Sequence, residues 1–91
     1  MENHMTEDEV RTLANRLLKE DLGKFGFREV KVAVAEDRDG EEFFDISAYF
    51  DPARTLPNPR ATIRSSSRLR QELLKKGENR FPNVLHFLPD R

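Results

Sequence analysis

The densest chemistry in this chain is positive charge in its second half. Arg60, Arg64, Arg68, Arg70, Lys75, Lys76 and Arg80 fall between positions 60 and 80, opposed only by Glu72 and Glu78. Guanidinium groups bind carboxylates and phosphates through paired, charge-assisted hydrogen bonds. If one helix carries the segment back to residue 64, Arg64, Arg68 and Lys75 share roughly one side, with Arg60 and Lys76 flanking them. Such a surface suits an acidic patch on a protein, or the backbone of a nucleic acid.

Other chemical motifs are weaker. Ser65-Ser66-Ser67 sits beside Arg64 and Arg68, but no matched base accompanies it, and serines before an apolar run more often cap a helix. Gly23-Lys24-Phe25-Gly26 has the GxxG spacing that clamps nucleic-acid backbones in KH domains. There it joins two helices, whereas here it joins a helix to a strand. Asp37-Arg38-Asp39-Gly40 echoes a calcium loop, but Ala35 and Ile46 stand where an EF-hand requires its first and last acidic ligands. His4 and His86 are the two histidines and cysteine is absent, so neither a thiol nucleophile nor a Cys- or His-dominated metal site is expected. His86 reads as a half-buried strand residue. No catalytic residue, metal or cofactor is expected.

The net charge of −1 conceals an asymmetry. Residues 1–45 carry thirteen acids and seven bases, a net of −6, and residues 46–91 carry four acids and nine bases, a net of +5. The two halves can neutralise each other on folding, or the basic half can present a binding face. No apolar run approaches the ~18 residues of a membrane span, and the first residues lack the pattern of a secretory signal. A cytoplasmic, bacterial protein of one domain is the expectation for 91 residues.

The elements that position these groups follow from periodicity and punctuation. Thr6 with Glu9 forms a capping box, and Val10, Leu13, Ala14, Leu17, Leu18 and Leu22 repeat at helical spacing up to Gly23; a helix over about 7–22 results, with Gly23 as its terminator. Alternation predicts a strand over about 28–36, with Val30, Val32 and Val34 on one face, and a second over about 41–50, with Phe44, Ile46, Ala48 and Phe50 on one face. The valine face must lie beside the Phe44/Ile46 face. Val34 therefore pairs with Phe44, Val32 with Ile46 and Val30 with Ala48, leaving a three-residue loop, Arg38-Asp39-Gly40, with glycine at its left-handed position. Residues 51–59 form a surface loop, and residues 1–5 are expected to be disordered. Residues 60–64 lean toward a short extended segment, although Asn58-Pro59 could also start a helix there. A second helix capped at Ser65, Ser66 or Ser67 then runs to about Lys76, with Leu69, Leu73 and Leu74 buried. A last strand covers about 81–88, with Val84, His86 and Leu88 on one face and Leu85 and Phe87 on the other.

These elements compose a small two-layer α+β domain of order α-β-β-(β)-α-β, an antiparallel sheet with two helices packed on one face. The order resembles the double-stranded-RNA-binding fold at the level of topology, but Arg68 and Arg70 stand where that fold opens its last helix on lysines. The second face of the hairpin carries Phe43 and Tyr49, with Phe27, Ala33 and Ala35 beside them and Glu29, Lys31 and Asp45 at their edge. It requires a cover: the loop at 51–58, a second copy, or a partner. A non-enzymatic protein-interaction module results, an adaptor, inhibitor or antitoxin-like partner. It binds through the sheet face (Phe43, Tyr49) and the basic second helix (Arg64, Arg68, Lys75, Lys76), with a protein partner or self-association expected. A nucleic-acid-binding module using residues 60–80 is the alternative, opposed by the pI near 6.1 and the acidic first helix.

Overall fold

The structure, a computed structural model, describes residues 4–54 and 56–88. Five main elements follow one another: helix α1 (Glu7–Leu22), strands β1 (Phe27–Glu36) and β2 (Glu42–Phe50), helix α2 (Pro59–Lys75) and strand β3 (Phe81–Phe87). The sheet order is β1-β2-β3, and both helices pack against the same side of it, making a two-layer α+β domain.

α1 begins as its capping box dictates. The Thr6 hydroxyl accepts from the Glu9 amide at 3.1 Å, and the Glu9 carboxylate accepts from the Thr6 amide at 2.8 Å. Its stripe of Val10, Leu13, Ala14, Leu17, Leu18 and Leu22 is buried throughout. The terminator differs from expectation. Gly23 stays right-handed, a single 3-10 turn follows over Gly23–Phe25, and the left-handed residue is Gly26, at φ +90°. Phe25 can thereby tuck against the core before the chain reverses.

The hairpin adopts the register that parity demands: Val34 opposite Phe44, Val32 opposite Ile46 and Val30 opposite Ala48. Asp37 donates its amide to the Glu41 carbonyl at 2.9 Å, its carboxylate accepts from the Asp39 and Glu41 amides, and Gly40 has φ +80°. Val34 is 36% exposed rather than core; on the outer edge of β1 its amide donates to the Glu7 carboxylate of α1. A register shift between Phe27 and Glu29 turns Phe27 to the helix side. It is buried edge-on against Phe50 at 5.7 Å, so it does not belong to the open face on which it was expected.

The second half corrects two expectations. No strand occupies 60–64. α2 starts at Pro59, and Asn58 caps it by accepting the Ala61 amide at 2.9 Å. The buried stripe is Ser65, Leu69 and Leu73, extended backward by the partly buried Ala61. A small polar residue at one stripe position hid the helical period, and the serines lie inside the helix rather than at its cap. Leu74 falls off the stripe and is 50% exposed. In addition, β3 runs parallel to β2, so the sheet is mixed rather than wholly antiparallel. A helical crossover returns the chain in its original direction, whereas a hairpin reverses it.

At the other end of the chain, the expected disorder of residues 1–5 lies outside the described residues for 1–3. Met5 is held: it packs partly buried on the core and donates its amide to Glu78.

Candidate functional site

The pairing of the three strands fixes the side chains of the uncovered sheet face as a grid of four rows. From the hairpin end they are Ala35–Phe43–Phe81, Ala33–Asp45–Asn83, Lys31–Ser47–Leu85 and Glu29–Tyr49–Phe87. Aromatic pairs thus stand at both ends of β2 and β3. Tyr49 and Phe87 are stacked at 5.7 Å, with the Lys31 ammonium 5.4 Å from the Tyr49 ring. At the opposite end the Arg70 guanidinium lies 5.1 Å from the Phe81 ring. Phe81 is 50%, Leu85 47% and Phe87 39% exposed, whereas Phe43 and Tyr49 are half-buried beneath their neighbours. The loop at 51–58 is anchored away from this face at its start. It folds back toward the 3-10 turn, where the Asp51 amide reaches the Gly26 carbonyl at 2.8 Å and Arg54 donates to the Lys24 carbonyl.

The face owes its third column to an ionic lock behind it. Glu78, fully buried, accepts from the Met5 amide at 2.8 Å and from the Arg80 amide and guanidinium at 2.9–3.0 Å, with the His4 ring at 3.3 Å. Arg80 continues to Glu42 at 3.1 Å and to the Met5 carbonyl at 2.8 Å, and its guanidinium lies 4.5 Å from the Phe44 ring. The N-terminal segment, the start of β2 and the start of β3 are joined at one point, which sets Phe81 beside Phe43. Burial pushes the Glu78 carboxyl upward, but the Arg80 side chain, the amides of Arg80 and Met5 and the guanidinium charge outweigh it and hold the group at about 2.

The cations expected along α2 differ in how they are engaged. Arg68 reaches across to α1, bonding Asp21 at 2.5 Å and Glu20 at 2.8 Å. Its hydrogen bond and charge lower the Glu20 carboxyl, and the same carboxylates raise the guanidinium. Lys75 pairs with Glu72 on its own helix at 3.1 Å. Lys76 lies at the far end of the helix pair, in a groove it shares with Met5, Thr12, Leu13 and Arg16. Arg64 lines a separate cleft at the start of α2 together with Arg60. Because α2 starts at Pro59, Arg64, Arg68 and Lys75 do lie on one side of it, but Arg68 and Lys75 are held by carboxylates; Phe43 and Tyr49 share the open sheet face.

Sequence reasoning missed the contribution of β3 to that face. Its alternation already put Leu85 and Phe87 together, but nothing local showed that β3 lies beside β2. His86 is half-buried on the helix side of β3, 5.8 Å from Phe50, and burial lowers its imidazole from the usual range. Among the described residues no group of three or more His, Cys, Asp or Glu could hold a metal ion, and no helix is long and apolar enough to cross a membrane. No protein-family model matches the chain, and neither does any curated protein or solved structure.

Proposed function

We propose that the chain is a non-enzymatic protein-interaction module, that its open sheet face is the interface, and that this face docks on the same face of a second copy. The carrying observation is the exposure of Phe81, Leu85 and Phe87 in one plane with Phe43 and Tyr49. Contiguous exposed apolar surface marks interaction sites, and aromatic residues anchor such interfaces.

The charge pattern favours a second copy in one orientation. Consider a two-fold axis lying between the two sheets and across their strands. The Phe43–Phe81 row then lies over the Tyr49–Phe87 row of the second copy, and Asp45 comes down over Ser47, beside Lys31. Both aromatic rows are covered and each Lys31 gains a carboxylate. An axis along the strands would instead set Asp45 on Asp45. Sheets pack face to face about 10 Å apart with strands nearly aligned, which the first arrangement allows. The acids Glu29 and Asp45 on the same grid disfavour nucleic acid.

Twelve grid positions, each about 4.8 Å by 6.8 Å, amount to roughly 400 Å² of flat face per copy. Stable complexes cover about 800 Å² of accessible surface per partner, so a face of this size implies weak association. Sedimentation velocity over a wide concentration range tests this, with the double variant Phe81→Glu/Leu85→Glu as the control. These two side chains are half exposed already, so circular dichroism should show a folded monomer. A wild-type monomer at every concentration refutes self-docking. If the wild type also captures no protein that the double variant loses, the face is not an interface.

A further inference from the structure

A cavity of about 430 Å³ opens in the helix layer, between the end of α1 and the first turns of α2. We propose that it binds a small phosphorylated polyhydroxy compound, such as a sugar phosphate. Three kinds of observation converge on this class.

The first is uncompensated positive charge. Lys24, Arg60 and Arg64 all line the cavity, and among the described residues none of the three has an ion-pair partner. The two acids at the same place, Glu20 and Asp21, are already engaged by Arg68, with Arg16 adding to Glu20 at 3.5 Å. The free charge facing the cavity is therefore that of three cations. The first turn of α2 also carries no acidic residue, unlike α1, which begins Glu7-Asp8-Glu9, so the positive end of its dipole is left uncovered. An anion of more than one charge fits this, and guanidinium groups are matched to phosphate oxygens.

The second is a pair of orphaned acceptors. Ser65 lines the cavity, is 1% exposed, and its Oγ has no hydrogen-bond partner. Asp21 lines it from the facing helix; its Oδ1 takes Arg68, but its Oδ2 is buried and also lacks a partner. Buried polar atoms are seldom left unpaired. A bare phosphate dianion is itself an acceptor and cannot satisfy a carboxylate oxygen. A hydroxyl can donate to Asp21 and exchange a hydrogen bond with Ser65. The ligand must therefore carry an anionic end and hydroxyl donors together.

The third is size. A volume near 430 Å³ lies within the ~300–1,000 Å³ of small-molecule sites, and the half-buried Phe25 supplies an apolar wall. The site lies on the helix side of the sheet, so it stands or falls separately from the open face.

The test is titration of the full chain with ribose 5-phosphate, inorganic phosphate and ribose, followed by calorimetry and by amide chemical shifts. Ribose 5-phosphate should bind tightest, shifting residues around 21–25 and 60–65. Arg60→Ala/Arg64→Ala should weaken it by at least about tenfold, since it removes two charge-assisted contacts. Ser65→Ala should weaken it severalfold without lowering the melting temperature, an effect that a merely structural serine would not produce. Equal affinity for inorganic phosphate and ribose 5-phosphate would reduce the cleft to an unselective anion patch and overturn the proposal. Failure of all three compounds to bind, or shifts outside the cleft, overturns it as well.

Discussion

Glu78 offers the sharpest quantitative handle on the fold. Its carboxylate is fully buried and its affinity for a proton is depressed to about 2 by the Arg80 and Met5 contacts. In the unfolded chain a glutamate titrates near 4.3–4.5. A depressed carboxylate stabilises the fold above its unfolded value, and the benefit is lost as pH falls toward the folded value. The difference corresponds to about 3 kcal/mol at pH 7, shrinking to about 1 kcal/mol at pH 3. Glu78→Gln keeps the shape but lacks the titrating charge. The stability gap between wild type and variant, from urea unfolding, should therefore narrow by about 2 kcal/mol between pH 7 and pH 3. The variant should also loosen Met5 and the start of β3, visible as faster amide exchange at Met5 and Arg80. If the gap is the same at both pH values, the carboxylate is not the source of the stabilisation and the ionic lock is misassigned.

Two further outcomes follow from the backbone. Gly40→Val should destabilise by more than about 1 kcal/mol, because a β-branched residue resists positive φ; since a side chain there would meet nothing within 4 Å, Gly40→Asn should recover most of the loss in the same urea titration. Asn58→Ala should cost about 1 kcal/mol as a lost helix cap, whereas Ser66→Ala and Ser67→Ala, inside α2, should change thermal stability little; the reverse ranking would place the helix start at the serines instead.

The legible parts of this chain were those in which local and global constraints agree. α1 carries its dipole charges and its apolar stripe in sixteen consecutive residues directly after its cap, Thr6, and nothing elsewhere competes with them. The hairpin register was legible because a slip by one residue would expose one whole apolar face. α2 was half hidden: Ser65 occupies a core position, so the apolar part of the stripe begins only at Leu69, and Ile63, 66% exposed, imitates a strand beside Ala61. The sheet's mixed topology could not be read locally at all, because β3 has the same alternation whichever way it runs. Arg68 and Arg80 look identical to the surface arginines in the sequence. Only the fold shows that each spans two carboxylates on other parts of the chain or beside it.

Those two arginines also explain what becomes of the opposed charges of the two halves. Arg68 from the basic half closes on Glu20 and Asp21, and Arg80 closes on Glu42, all from the acidic half. Part of the asymmetry thus serves the fold: it ties α2 to α1 and β3 to β2 across long separations in the chain. A cation used this way is removed from any binding surface, because recruiting it to a ligand would strand the carboxylates it holds. The surfaces left for recognition are therefore what internal pairing has not consumed. On the helix side that remainder is Lys24, Arg60 and Arg64 around the cleft at the start of α2, with the unpaired Asp21 Oδ2 and Ser65 Oγ. On the sheet side it is a plane of aromatic and aliphatic groups facing away from both helices, met by α2 only where Arg70 lies over Phe81. The proposed anion cleft and the proposed sheet interface thus draw on different residues in different layers, so substitutions that abolish one leave the test of the other intact.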